Sequence, residues 1–261
     1  QAHWKNLSDA AEWYCWQMEH PEQSNFNKVL CSESEASCQQ NGTYDLFSNA
    51  MAWHGLTAFS RVARQTGHAQ QAQRWDNFAQ QLKQGIMERF TSQHPRYGRI
   101  FTDITYDCWT WEYKAQAFLF LYPDLFGYDP AQSDPQMFEI ARNTYLAQKE
   151  DFFSYDSGRQ MGYGQGYITE AAILMDDPVD MQGYVEQAAA FCYHHTDHNY
   201  IVPEGVIMHP SGRFWFRNSD LGNSVQQAEI VKCARLLIGL DDLNPEQGLS
   251  IIPRLPQGWT Q

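Results

Sequence analysis

The sequence predicts a mainly α-helical protein, built from antiparallel helical hairpins that close wholly or in part into a ring, with loops decorating one mouth. Three observations predict it. Apolar residues recur at helical spacing in segment after segment. Short polar turns alternate with long connections rich in aromatic, glycine and acidic residues. Tetratricopeptide and ankyrin signatures are missing, and the connections vary too much in length for a solenoid.

An N-terminal helix is expected from about Ser8 to Met18, with Ser8 as its cap. Ala52, Leu56, Phe59 and Ala63 form the next apolar stripe, and Trp75, Phe78, Leu82 and Ile86 the one after. Between them lies only "RQTGHAQQ", where Gly67 can end a helix in the left-handed conformation, so the pair reads as an αα-hairpin. A helix from about Cys108 to Tyr122 follows, then "PDLFGYDPAQSDP" and a helix carrying Phe138, Ala141 and Tyr145. Asp134 precedes that helix, and Pro135 suits its first position. Next come Tyr167 to about Met175, the turn "DDPVD", and a helix with Val185, Ala189 and Cys192. The last helix spans about Ser224 to Ile238 and ends at Gly239. Strands are expected only in "GRIFTDI", in "YIVPEGVIMH" with "GRFWFRN" as a hairpin around Pro210-Ser211-Gly212, and in "GLSIIPRL".

The order of the connections carries the functional argument. Inside hairpins the links are "QTGHAQ", "LYPDLFGYDPAQSDP" and "MDDPVD"; between hairpins they are "TSQHPRYGRIFTDITYD", "KEDFFSYDSGRQMGYGQG" and "YIVPEGVIMHPSGRFWFRNSDLGNS", Tyr200 to Ser224. Successive links of antiparallel helices emerge at opposite ends, so the elaborate ones gather on one face.

Composition excludes several classes of function. The chain has 261 residues, with 18 Lys and Arg against 31 Asp and Glu, a formal net charge of −13. That field repels nucleic acid, and no basic cluster offsets it. A basic membrane-binding helix is missing, and so is any run of about 18 apolar residues. The opening "QAHWKNLSDA" has neither a basic nor an apolar signal region, and both ends read as cuts in a longer or processed chain. Four of the six cysteines, Cys15, Cys108, Cys192 and Cys233, fall in apolar helical patterns and read as buried thiols. Cys31 and Cys38 flank a polar loop and could form a local disulfide, so the compartment, cytoplasmic or extracytoplasmic, stays open.

The loop face is acidic and aromatic. Cleaving a glycosidic bond by acid–base chemistry needs two carboxyls facing across the scissile oxygen, one of them protonated at working pH. Glu204, in "IVPEGVI", has apolar neighbours and sits on a turn stiffened by Pro203 and Gly205, which suits the acid. Candidates for the base are Asp103, Asp107, Glu112 and Glu170. Asp107 could equally cap the helix that follows, and Glu170 could simply complement a helix dipole. Trp109, Trp111, Tyr163, Tyr167 and Trp215 offer flat rings for the C–H face of a sugar, with Gln165 and Asp220 as polar partners. The glycines of "GYGQGYITEA" have no strand before them and no Lys after, so they are read as close backbone approach to a ligand, not as a phosphate cradle. His194, His195, Asp197 and His198 cluster at a helix end without an HExxH motif, and no metal site or cofactor is expected.

With those features in view the chain resembles the six-hairpin (α/α)6-toroid glycosidases, especially the α-L-rhamnosidase-like enzymes. "NSVQQAEIVKCARLLIGLDD" looks like the last barrel helix of such enzymes, "LSIIPRLPQGW" like the chain leaving the barrel, and "YGQGYITEAAILMDD" like an inner-helix opening. The resemblance implies a toroid catalytic domain over residues 1–248, lacking helices upstream of Gln1, and an exit over 249–261 toward a C-terminal β-sandwich. It also implies hydrolysis of an oligosaccharide or glycoconjugate, commonly with inversion, by paired carboxylates and without a redox cofactor. Two alternatives stand beside it. A lyase or sugar epimerase on the same architecture would use His or Tyr as base. A non-catalytic sugar-binding helical module would have no facing carboxylates at all.

Overall fold

A computed structural model describes residues 3–20, 29–30, 46–102, 133–151, 160–161, 165–193, 206–208, 211, 215–217, 224–241 and 250–259. The chain divides into two units, Gln1–Leu119 and Phe120–Gln261. The described residues are mainly helical, as the periodicity requires.

In the first unit, α1 (Trp4–Glu19), α2 (Leu46–Gln65) and α3 (Ala69–Arg89) pack together. Helix α1 starts four residues ahead of Ser8, which lies inside it and does not cap it. A tertiary contact extends the helix: the Trp4 ring stacks on His68 at 3.8 Å and lies 5.7 Å from Trp75. The α2–α3 hairpin follows the sequence closely. Gly67 has φ 85°. Its N–H donates to Arg64 O (3.2 Å), and the His68 N–H reaches back to Ala63 O (2.8 Å). These two bonds are the pattern of a glycine-terminated helix. Ala52, Leu56 and Ala63 on α2 and Trp75, Phe78, Leu82 and Ile86 on α3 are buried; Phe59 is half-buried, its ring edge toward Trp75. Strands β1 (Thr91–His94) and β2 (Gly98–Phe101) then form an antiparallel hairpin.

The second unit contains α4 (Pro135–Asp151), α5 (Gln165–Leu174), α6 (Pro178–Tyr193) and α7 (Ser224–Ile238). Asp134 caps α4, its Oδ1 accepting the Met137 N–H at 3.1 Å. Asp177 caps α6 in the same way, accepting from Val179 (3.0 Å) and Asp180 (3.1 Å). Pro178 follows that cap as Pro135 follows Asp134, the proline that a first helical position favours. The apolar stripe of α4 holds Ala141 and Tyr145 as predicted, and that of α6 is rotated by one residue. Met137, Ile140, Ala141 and Tyr145 are buried on α4, with Phe138 only half-buried. On α6 the buried set is Met181, Tyr184 and Ala188, not Val185 and Ala189.

Helix α5 packs on both α6 and α7. The short link Met175–Asp177 makes α5 and α6 antiparallel, and α7 runs alongside α5, with Cys233 beside Gly166 and Leu237 near Ile173. Two ends result. At one, β3 (Gln160–Met161), β4 (Val206–Met208) and β5 (Trp215–Arg217) form an antiparallel sheet in the order β3-β4-β5. At the other, β6 (Leu240–Asp241) pairs with β7 (Ser250–Ile251), and residues 252–259 run back over the helix ends.

Candidate functional site

The sheet end of the second unit is where the structure brings predicted site segments together. β4 follows α6 and β3 precedes α5, and these helix ends lie at the same side of an antiparallel pair. The strands pair accordingly: Gln160 opposite Ile207, Met161 opposite Val206. β5 completes the sheet with Val206 opposite Arg217, Ile207 opposite Phe216 and Met208 opposite Trp215. The hairpin is therefore centred between Ser211 and Gly212, as its sequence predicts. Two long inter-hairpin segments thus converge on one sheet within this unit.

Contrary to the sequence expectation, a strand does precede the glycines, β3 ending at Met161 directly before Gly162, and helix α5 begins after three intervening residues. Ile168, Thr169, Glu170, Ala171, Ala172 and Ile173 are all fully buried, so the helix is enclosed nearly all round. Its polar groups are tied to its neighbours. Thr169 Oγ1 donates to Tyr184 O on α6 (3.4 Å), and Cys233 Sγ on α7 lies 3.7 Å from Gly166 O. Glu170 has no solvent-exposed surface. Helical side chains lean toward the N-terminus, which for Glu170 means toward the sheet end. A carboxyl removed from water needs partners fixed by the fold, and such groups concentrate at functional sites or in structural ion networks.

Of the other predicted site residues, Gln165 opens α5, Tyr167 is half-buried on its first turn, and Trp215 opens β5. Glu204, Asp103, Asp107, Glu112, Trp109, Trp111, Tyr163 and Asp220 lie outside the described residues, as do Cys31, Cys38 and the cluster of His194, His195, Asp197 and His198. Cys15 and Cys233 are buried and take part in no disulfide. Among the described residues no group of three or more His, Cys, Asp or Glu could hold a metal, and no helix is long and apolar enough to cross a membrane.

Two polar clusters were not foreseen. In the second unit, buried Asp180 accepts from Tyr145 Oη (2.6 Å) and pairs with Lys149 Nζ (2.5 Å), joining α4 to α6. Burial, reinforced by the Asp180 carboxylate, pushes the Tyr145 phenol well above its ordinary range. In the first unit, Arg74 forks between Glu12 and Glu19 on α1. The signal for the former was available: Tyr145 and Lys149 are four apart on one helix face, and Asp180 stands in the first turn of its helix.

No family model, characterised protein or solved structure matches the chain.

Proposed function

We propose that the chain is a glycoside hydrolase of the (α/α)-toroid kind, cleaving an oligosaccharide or glycoconjugate with inversion at the anomeric carbon. The observation that carries this reading is the β3–β4–β5 sheet. It pairs Gln160 and Met161, which precede the glycine-aromatic stretch in the sequence, with a strand that begins two residues after Glu204. The resemblance to α-L-rhamnosidase-like enzymes supports it.

In this mechanism Glu204 gives its proton to the leaving glycosidic oxygen as the bond to the anomeric carbon breaks. A second carboxylate takes a proton from a water that attacks the opposite face, from roughly 6.5–9.5 Å away. A base must touch that water. Glu170 is fully enclosed and does not meet that water, so the base is sought among the other carboxylates predicted from the sequence. Tyr163, Tyr167 and Trp215 supply stacking faces, and Gln165 and Asp220 hydrogen-bond hydroxyls.

The test is a panel of aryl glycosides headed by the α-L-rhamnoside, with early-time NMR of the product anomer. Glu204→Gln is expected to lower kcat about 10²- to 10⁴-fold while leaving sugar binding in place. Aryl release from no member of the panel, or a wild-type rate in Glu204→Gln, rejects the reading.

A further inference from the structure

Helix α1 is held to the first unit in a way unlike α2 and α3. Its buried residues are only Ala11 and Cys15, against eight on α2 and seven on α3. Its opposite face leaves Trp13 and Trp16 exposed and stacked on each other, centroids 5.2 Å apart. Its described polar ties to α3 run through two adjacent residues, Arg74 and Trp75. Arg74 Nε donates to Glu12 Oε2 (2.9 Å), while its Nη1 and Nη2 donate to the two oxygens of Glu19 (2.7 and 3.0 Å). Trp75 Nε1 donates to the other Glu12 oxygen (2.8 Å). Trp4 lies on His68 and beside Trp75. The Arg74 side chain is 37% exposed, so water competes for every bond of this fork.

The chain beyond α1 is fastened differently. Asn49, buried on α2, accepts the Leu30 N–H (2.8 Å) and donates to Leu30 O (3.1 Å), and Val29 and Leu30 are themselves buried. From His20 to Leu30 is ten residues, a span of up to ~35 Å if extended, enough for α1 to leave α3 without drawing Leu30 out. The α2–α3 hairpin has its own ties: Ser60 on α2 donates to Ala72 O (3.2 Å) and to Asp76, and Arg64 pairs with Asp76.

We infer that α1 is a releasable strap, anchored through Asn49 at Leu30 and latched on α3 by Arg74, which swings away while the α2–α3 hairpin stays folded. Release uncovers the indole of Trp75, which Trp4 and Glu12 contact. The inference is independent of the proposed catalytic reading.

Cys15 reports on it, because its buried thiol is reached by reagent only when α1 lifts. The experiment is thiol labelling of the whole chain, mapped by peptide mass to Cys15, in parallel with amide exchange across α1, α2 and α3. Arg74→Met is expected to speed Cys15 labelling and α1 exchange about tenfold, with α2–α3 protection unchanged. The milder Glu19→Gln keeps the Glu12 bonds and is expected to give roughly a threefold effect. Cys15 labelling that rises only in step with α2–α3 exchange, or that neither substitution alters, overturns the strap.

Discussion

Gly67 and Gly239 end their helices in the same left-handed conformation, φ 85° and 68°, yet they sit in opposite surroundings. A Cβ on Gly67 would meet nothing within 4 Å, whereas one on Gly239 would fall 1.7 Å from the backbone oxygen of Ile252. The first closes a local hairpin. The second is pressed by a segment that returns from later in the chain: Ile252 N–H donates to Gly239 O (2.8 Å) and Arg254 N–H to Leu237 O (2.9 Å). Local connections build the α2–α3 hairpin, and long-range ones complete the α5–α7 layer.

Substitution at the two glycines is the sharpest way to break that contrast. Gly239→Ala is expected to cost about 3 kcal/mol, because strain and a backbone clash add, and to loosen the second unit. Gly67→Ala carries conformational strain alone, about 1–2 kcal/mol. Equal losses in chemical denaturation would show that the Ile252 contact does not matter.

A smaller effect concerns the polar ties. Tyr145→Phe removes one of the two described hydrogen bonds to buried Asp180 and is expected to cost about 1–2 kcal/mol, read from the denaturation midpoint.

The smallest effects are pH dependences of opposite sign. The Arg74 hydrogen bonds hold the Glu19 carboxyl below its usual range. Stability from that pair is complete above the unfolded carboxyl value and is lost as pH falls through the lowered folded one. Amide protection of α1 should therefore weaken in acid. Tyr145 titrates the other way. Its folded value is raised, so the α4–α6 tie is complete below the ordinary phenol value near 10 and weakens as pH climbs above it. Exchange profiles of α1 and α4 that respond alike to acid and alkali would erase the distinction.

Much of the fold was legible because its signals are local. Asp134 with Pro135, Gly67 and the turn around Ser211 each act through one or two neighbours, and each, like the helix end at Gly239, sits where its sequence places it. The start of α1 was not legible, since Trp4 is helical through its contact with His68, distant in sequence. The buried face of α6 was missed by one residue because "PVDMQGYVEQAAAFCY" supports two adjacent stripes. The larger Met181 and Tyr184 took the core over Val185 and Ala189. Of the candidate site, the convergence of β3 with β4 and β5 followed from the alternation of links. The full enclosure of Glu170 did not, because it depends on α6 and α7 together.

Arg254 also has a meaning for synthesis. Its guanidinium, buried at 7% exposure, donates to Ile173 O at the far end of α5, 81 residues earlier in the chain. A ribosome adding about 5–20 residues per second leaves that carbonyl, which also accepts the Asp176 N–H at 3.1 Å, without its second donor for roughly 4–16 s. Until Arg254 emerges, the last turn of the nascent α5 lacks this long-range bond.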